Sequence, residues 1–264
     1  MKHPINRFIN VFGLNLTRFK RSPYKHLLNI PRFSETTVDL LGHDFIVADS
    51  HSFYYSYQEI FIDEIYRFHC DKNNPMIIDC GANYGTSIMY FKSIYPYAVI
   101  KGIEADPMIY SILKKNISNH YHDINLINKA LSNTKGKMQF YSEGADGGRL
   151  EYMEKPKSVF EIETVLLDDL IVGEVDFLKM DIEGAETEVL LSSNKLNLVK
   201  QMFIEYHSLL DSNQLLSQLL ETLSKNKFRY YIQEIYCPEK PFQKIESMNG
   251  MDLQLNIFAI RNAE

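Results

Sequence analysis

Met76-Ile77-Ile78-Asp79-Cys80-Gly81-Ala82-Asn83-Tyr84-Gly85, answered further on by Glu104-Ala105-Asp106, decides how this chain folds. The opening apolar run stops at an acid, turns over two glycines four positions apart and enters a helical pattern at Thr86. Gly81 and Gly85 remove side chains where a ligand must lie against the backbone, and the first helical turn carries free N–H groups. Glu104 closes the next apolar run, about twenty residues on, where a carboxylate can accept both hydrogen bonds of a ribose diol. That spacing marks a nucleoside site.

The loop reads DxGxxxG, not GxGxxG. A dinucleotide loop brings its backbone against a pyrophosphate and keeps a third glycine for close helix packing. Asp79 would set a negative charge beside that pyrophosphate, a repulsion of roughly 1 kcal/mol or more at surface dielectric. A cationic nucleoside suits the acid better. S-adenosylmethionine, with its sulfonium, ammonium and adenosine ribose, matches one acid at the end of the first strand and another at the second. A phosphate-free Rossmann-like or purely structural turn is the alternative.

Outward from this stretch, strand-like runs at 76–80, 99–104, 124–127, 177–181 and 202–206 alternate with helical patterns at 86–95, 108–119, 185–191 and 214–225. The alternation predicts an α/β fold, a doubly wound Rossmann-like sheet that is mostly parallel. Asp106-Pro107 opens one helix as N-cap and first position. Runs at 228–235 and 253–260 predict an antiparallel hairpin at one sheet edge, giving seven strands with one reversed. Between the third and fourth core strands, 138–141 and 161–166 read as strands flanking Glu143-Gly144-Ala145-Asp146-Gly147-Gly148-Arg149. That loop either closes over a polar substrate with its Arg149 fork or is a plain surface turn. Ahead of the sheet, residues 37–49 alternate around Gly42 as a hairpin, and Ile60, Phe61, Ile65 and Phe68 share one face of a helix predicted over 57–68. The expected organisation is a basic arm at 1–34, a cap at 35–70 and a catalytic domain at 71–264.

A chain of 264 residues with 45% hydrophobic and 23% charged residues suits one sizeable globular domain with an extension, and excludes a disordered chain. No stretch approaches the ~18 apolar residues of a membrane span. Cys70, Cys80 and Cys237 are widely spaced without a CxxC pair, which points to unpaired thiols in a reducing compartment. Charge is uneven. Residues 1–34 hold seven basic residues and no acid, so the remainder carries −13 of the overall −6. Ile5, Phe8, Ile9 and Phe12 recur there at helical spacing, as in a helix seeking a membrane surface or one docked on the domain's own acidic face. Asn10 and Asn15 interrupt the apolar run and no small-residue cleavage site follows, so no signal peptide is expected. The expected location is cytoplasmic, with peripheral contact at the inner membrane face through residues 1–34 as the further option. Nucleic acid is not an expected partner, because the acidic remainder repels phosphates.

In this order, IIDCGANYG, EADP, NKALSNTKG, VDFLKMDIEGAE and FIEYH resemble the FkbM family of S-adenosylmethionine-dependent methyltransferases over roughly residues 53–260. The resemblance implies a seven-stranded class I methyltransferase fold and methyl transfer to oxygen, commonly a hydroxyl of a sugar or natural product. It further implies that Asp79, Gly81 and Gly85, with Ala82 and Asn83 in the same loop, hold the methionine portion of the donor. Glu104 would then bind the ribose, and Ala105 and Asp106 would lie along the adenine. Asn128-Lys129-Ala130 leaves the third strand at the sheet's carboxyl edge, where ligands of open α/β sheets bind.

Asp181, Glu183 and Glu186 follow the fourth strand, and Glu205 and His207 end the fifth, so neighbouring strand ends bring them to one rim. Sugar hydroxyls are very weak acids, and attack on a sulfonium methyl gains from a base within hydrogen-bond reach. His207 titrates near neutral pH and is one candidate. Asp181 is the other, either taking the proton itself or orienting His207 and the hydroxyl. Arg149, Glu183, Glu205 and Tyr57, or Glu59 beside it, are candidate contacts to a glycan or small-molecule acceptor. Asp181, Glu183 and Glu205 could instead hold Mg²⁺. Against that, Glu183 and Glu186 are also the acids a helix start favours. Two rival functions share the sheet: a nicotinamide-dependent oxidoreductase, disfavoured by the missing third glycine, and a non-catalytic nucleoside-binding module, disfavoured by the intact Asp181 and His207. His120 and His122 read as solvated loop residues.

Overall fold

In the computed structural model, residues 22–118, 120–121, 123–144, 148–150 and 156–261 are described. The amphipathic pattern at Ile5, Phe8, Ile9 and Phe12, His122, and residues 145–147 of the glycine loop lie outside them. The strands, in chain order, are Thr36–Leu40 (β1), His43–Val47 (β2), Met76–Cys80 (β3), Val99–Ile103 (β4), Ile124–Ile127 (β5), Ala130–Leu131 (β6), Lys137–Ser142 (β7), Ser158–Val165 (β8), Val175–Met180 (β9), Val199–Leu209 (β10), Phe228–Tyr236 (β11) and Met251–Arg261 (β12).

Strand β3 sits inside the main sheet, whose order is β11-β12-β10-β9-β3-β4-β5. Pairing is parallel from β10 through β5, and β12 runs antiparallel to both β10 and β11. Seven strands with one reversed is the architecture the alternating pattern predicts. The predicted C-terminal hairpin forms at one sheet edge, with β11 outermost and β12 seated between β10 and β11. Period-two alternation divides each central strand between two cores. Ile77, Ile100, Phe177 and Phe203 face the Thr86–Ile94 and Pro107–Ser118 helices. Ile78, Ile103, Leu178 and Ile204 face the Glu186–Ser192 and Leu216–Lys225 helices. This two-sided cover explains why the parallel strands read as nearly continuous apolar runs.

The 138–141 and 161–166 runs become β7 and β8, which with β6 form a separate three-stranded sheet beside the carboxyl ends of the main strands. Ahead of the main sheet, β1 and β2 pair around Leu41-Gly42, both at positive φ as a tight hairpin turn requires. The helix predicted over 57–68 lies earlier: Ser50–Tyr57, running on into one π-helical turn at Gln58–Ile62. Asp49 fixes its start, accepting from the N–H and hydroxyl of Ser52. Phe68 then owes its burial to the sheet, its ring stacked 4.6 Å from Phe177, while Tyr66 meets Phe203 at 4.8 Å. Aromatic spacing that mimics a helical face here records packing of non-helical chain.

The cap shares one hydrophobic core with the sheet, with Phe45, Val47 and Phe53 joined to Tyr84, Phe91 and Phe177. Buried Asn116 ties them together, accepting from the Ile46 N–H at 2.9 Å and donating to the carbonyls of Ile46 and Tyr84 at 2.8 Å each. No helix of the described residues is long and apolar enough to cross a membrane. Cys70, Cys80 and Cys237 are unpaired thiols. Burial pushes the Cys80 thiol far up, in keeping with a small apolar strand end.

Candidate active site

After Cys80 the chain turns at Gly81 (φ +86), whose N–H, with that of Ala82, donates to the Ile103 carbonyl. A Cβ at Gly81 would stand 1.7 Å from the Asp181 carbonyl oxygen. A Cβ at Gly85 (φ +102) would press on Leu113 and Ile117. Neighbouring protein therefore demands both glycines, where the sequence suggested close approach of a ligand. Gly81, Ala82 and Asn83 line a cavity of about 840 Å³ at the carboxyl ends of the strands; Gly85 does not.

Asp79 also lies off the cavity. It is fully buried, with the Ser87 hydroxyl donating to one oxygen and the Lys179 ammonium 3.5 Å from the other. Burial pushes its carboxyl up, partly offset by that ammonium. Asp79 sits beneath the loop, outside the cavity lining, instead of on the cavity wall where the resemblance put it. Glu104 lines the cavity and is set in place by backbone, one oxygen accepting from Asn83 N–H at 2.9 Å and the other from Asp106 N–H at 2.8 Å. Burial raises its pKa to about 7. Asp106 caps the Pro107–Ser118 helix, accepting from Met108 and Ile109 N–H as the Asp-Pro pair predicts, and also takes the Ser142 hydroxyl of β7. Ala105, Lys129 and Ala130 continue the same wall. Lys129 pairs with Glu163 at 3.0 Å. Asn128 stays behind the wall, donating to the carbonyls of Glu104 and Ala105 at 2.9 and 3.0 Å.

The opposite wall holds Glu59, Asp181, Glu183, Glu205 and Asp211 with Lys179 beneath them. Lys179 is the residue sequence reasoning missed. It is 3% exposed, and its Nζ reaches the Gly81 carbonyl at 2.8 Å and Asp181 Oδ2 at 3.0 Å. Burial would push a lysine down, but Asp181, Tyr66 and Asp79 hold it well above its ordinary value, so it stays charged. A lone lysine inside the apolar run Val175–Met180 was the available signal. Glu205 is raised to about 8 by burial and by the charges of Asp181 and Glu59, against the pull of His207 and Lys179. Gln254 of β12 donates to it.

His207 does not line the cavity. Its Nδ1 lies 3.0 Å from Glu186, and its Nε2 lies 3.7 Å from both Glu183 and Glu205. Burial would depress the imidazole pKa, but the three carboxylates override it and raise it well above the histidine range. At neutral pH the ring is an imidazolium and has no lone pair to offer. Glu186 in turn gathers the Ile182 and Gly184 N–H groups, which shapes the turn that presents Asp181 and Glu183. Asp181, Glu205 and His207 bring ligand atoms within 4.8 Å of one another, a set that could hold a metal ion only after His207 gave up a proton. Of the remaining acceptor candidates, Arg149 lines the cavity from the β7 side, whereas Tyr57 packs in an aromatic stack with Phe61 (4.9 Å) and Tyr24 (4.7 Å) outside it. Glu59, at the π-helical turn, takes the place expected of Tyr57.

Residues 79–230 match a family model described as the methyltransferase FkbM domain. Methyltransferase sdnD of Sordaria araneosa is 26% identical over 209 residues, covering 61% of this chain and 81% of that protein. The 2-O-methyltransferase NoeI of Sinorhizobium fredii is 26% identical over 155 residues, covering 51% of this chain and 63% of that protein. A solved structure of methyltransferase FkbM from Methylobacillus flagellatus is 18% identical, with a TM-score of 0.47 over 75% of this chain and 46% of its own. The family match runs from the donor loop through the acidic wall to the start of β11, more than half of the chain, and the protein belongs to the FkbM family of S-adenosylmethionine-dependent methyltransferases.

Proposed function

We propose that the protein transfers the methyl group of S-adenosylmethionine to a hydroxyl oxygen of a sugar, glycan or glycosylated small molecule. One juxtaposition carries this reading: a single cavity has the backbone-aligned Glu104 on one wall and the carboxylates of Asp181, Glu183 and Glu205 on the other. The donor fits the first wall. Beside Glu104, the buried Thr86 hydroxyl lines the cavity without a hydrogen-bond partner, a polar atom left for a ligand. The relative NoeI is by name an O-methyltransferase, which favours oxygen as the acceptor atom.

S-adenosylmethionine supplies, when bound, a methyl on a positively charged sulfur. Glu104 would accept hydrogen bonds from the ribose hydroxyls, and Gly81, Ala82 and Asn83 are the loop residues that would hold the rest of the donor. On the facing wall a carboxylate receives the acceptor's proton. His207 is withdrawn behind that wall as an imidazolium, so the role passes to Glu205, oriented by Gln254, with Asp181 aligning the hydroxyl. A base of pKa about 8 is well matched to a hydroxyl near neutral pH. Alignment of oxygen, methyl and sulfur can contribute up to roughly 7–11 kcal/mol. The wall's five carboxylates favour an uncharged polyhydroxyl acceptor over an anionic one.

Incubation with methyl-labelled donor and a panel of neutral oligosaccharides, nucleotide sugars and glycosylated polyketides tests the proposal. Label in an alkali-stable ether is the expected product; label on nitrogen or carbon, or no donor binding and no transfer across the panel, overturns it. A thermal shift with S-adenosylhomocysteine and none with NAD separates this reading from a nicotinamide enzyme.

A further inference from the structure

Lys179 stands where a doubly covered parallel strand calls for a hydrophobe. An ammonium 3% exposed costs several kcal/mol in desolvation unless each of its protons finds an acceptor. Here the ammonium donates to one carbonyl and stands between two carboxylates, and the three partners belong to different parts of the site. The Gly81 carbonyl, at 2.8 Å, is in the donor loop. Asp181, at 3.0 Å, stands in the opposite wall, and Asp79, at 3.5 Å, lies under the loop that Ser87 also grips. Without the lysine, the two segments still meet through the Asp181 N–H, which donates to the Cys80 carbonyl at 3.1 Å, and through the packing of Gly81 against the Asp181 carbonyl; Lys179 adds the link that reaches the Asp181 carboxylate.

Resting on the donor reading above, we infer that Lys179 is a positioning residue: its ammonium, held between the Gly81 carbonyl and the Asp181 carboxylate, locks the donor loop and the acceptor-side acid into one register. A compact ammonium fits between one carbonyl and two carboxylates at this spacing, an arrangement the flat fork of an arginine does not reproduce. Asp181 thereby influences donor binding through the loop.

A double-mutant cycle on S-adenosylhomocysteine affinity, measured by calorimetry beside melting temperature, tests this for wild type, Lys179→Met, Asp181→Ala and the double variant. Lys179→Met is expected to bind at least 10-fold more weakly. The Asp181→Ala loss, about 3-fold in wild type, is expected to shrink to less than half that factor once Lys179 is gone, because the link is already broken. A lysine that only stabilised the fold would lower melting temperature and leave the folded protein's affinity unmoved. Affinity within 2-fold of wild type in Lys179→Met, or an Asp181→Ala factor not reduced to below half in the double variant, overturns the inference. If Lys179→Met does not fold, Lys179→Arg replaces it in the same cycle under the same two criteria. Wild type that fails to bind S-adenosylhomocysteine strikes the donor reading instead.

Discussion

Glu104 and Glu205 are carboxyls raised toward neutrality on opposite walls, and each sets its own pH dependence. Glu104 is mostly neutral below its pKa of about 7 and an acceptor of diol hydrogen bonds above it, so affinity for S-adenosylhomocysteine should rise from pH 6 to pH 8. In Glu104→Gln that slope should vanish and affinity fall about 10-fold, as calorimetry would show. Glu205→Gln should lower kcat by roughly 100-fold or more and remove the rise in rate through pH 8. Its effect on stability runs the other way. A carboxyl raised on folding costs stability as pH climbs from its unfolded value to about 8, so Glu205→Gln should melt higher than wild type at pH 8. His207→Gln should do the reverse, costing about 3 kcal/mol of stability by leaving buried Glu186 without its cation. Glu104 was legible because strand, acid and spacing are local. The meeting of His207 with the acids after the fourth strand was legible too, but not its burial, which depends on the first helical residue, Glu186, turning inward to pair with the ring.

Among the elements, the Ser50–Tyr57 helix shows how a cap can overrule periodicity. Asp49 is fully buried, and burial pushes its carboxyl up; Phe33 N–H, Ser52 and Arg32 outweigh that and hold it below the usual carboxylate range. Its stabilisation is therefore present above the unfolded pKa and lost as pH falls through the folded one. Asp49→Ala should cost about 2 kcal/mol at pH 7, read by urea denaturation. Residues 57–68 gave the wrong phase because the apolar spacing of Ile60, Phe61, Ile65 and Phe68 outweighed the local Asp49–Ser52 cap, whose support from Arg32 and Phe33 comes from across a hairpin. Gly81→Ala should cost more than the cap, since positive φ and the Asp181 carbonyl both oppose a side chain there. Lys179 escaped notice for a related reason. Its acceptor Gly81 is 98 positions away, and a single cation within an apolar run reads as an interruption.

For the molecule as a whole, the seven strands with one reversed and the doubly wound cover were visible in the alternation of runs, whereas the order of the strands and the fusion of cap and sheet were not. Because Phe45, Phe53, Phe91 and Phe177 share one core, calorimetry should find a single transition, with near- and far-ultraviolet dichroism coincident. Asn116→Ala, which unties Ile46 and Tyr84 together, should cost about 2–3 kcal/mol while leaving that transition single. The seating of β12 between β10 and β11 carries a further consequence, for assembly in time. The ribosome delivers β10 and β11 first, yet neither has the other for a neighbour, and both wait for residues 251–261 to arrive. Until then two apolar strand edges stand open, an invitation to self-association that a holdase chaperone would counter. Gln254 arrives with that strand, so a nascent chain can complete its donor wall well before it can methylate anything.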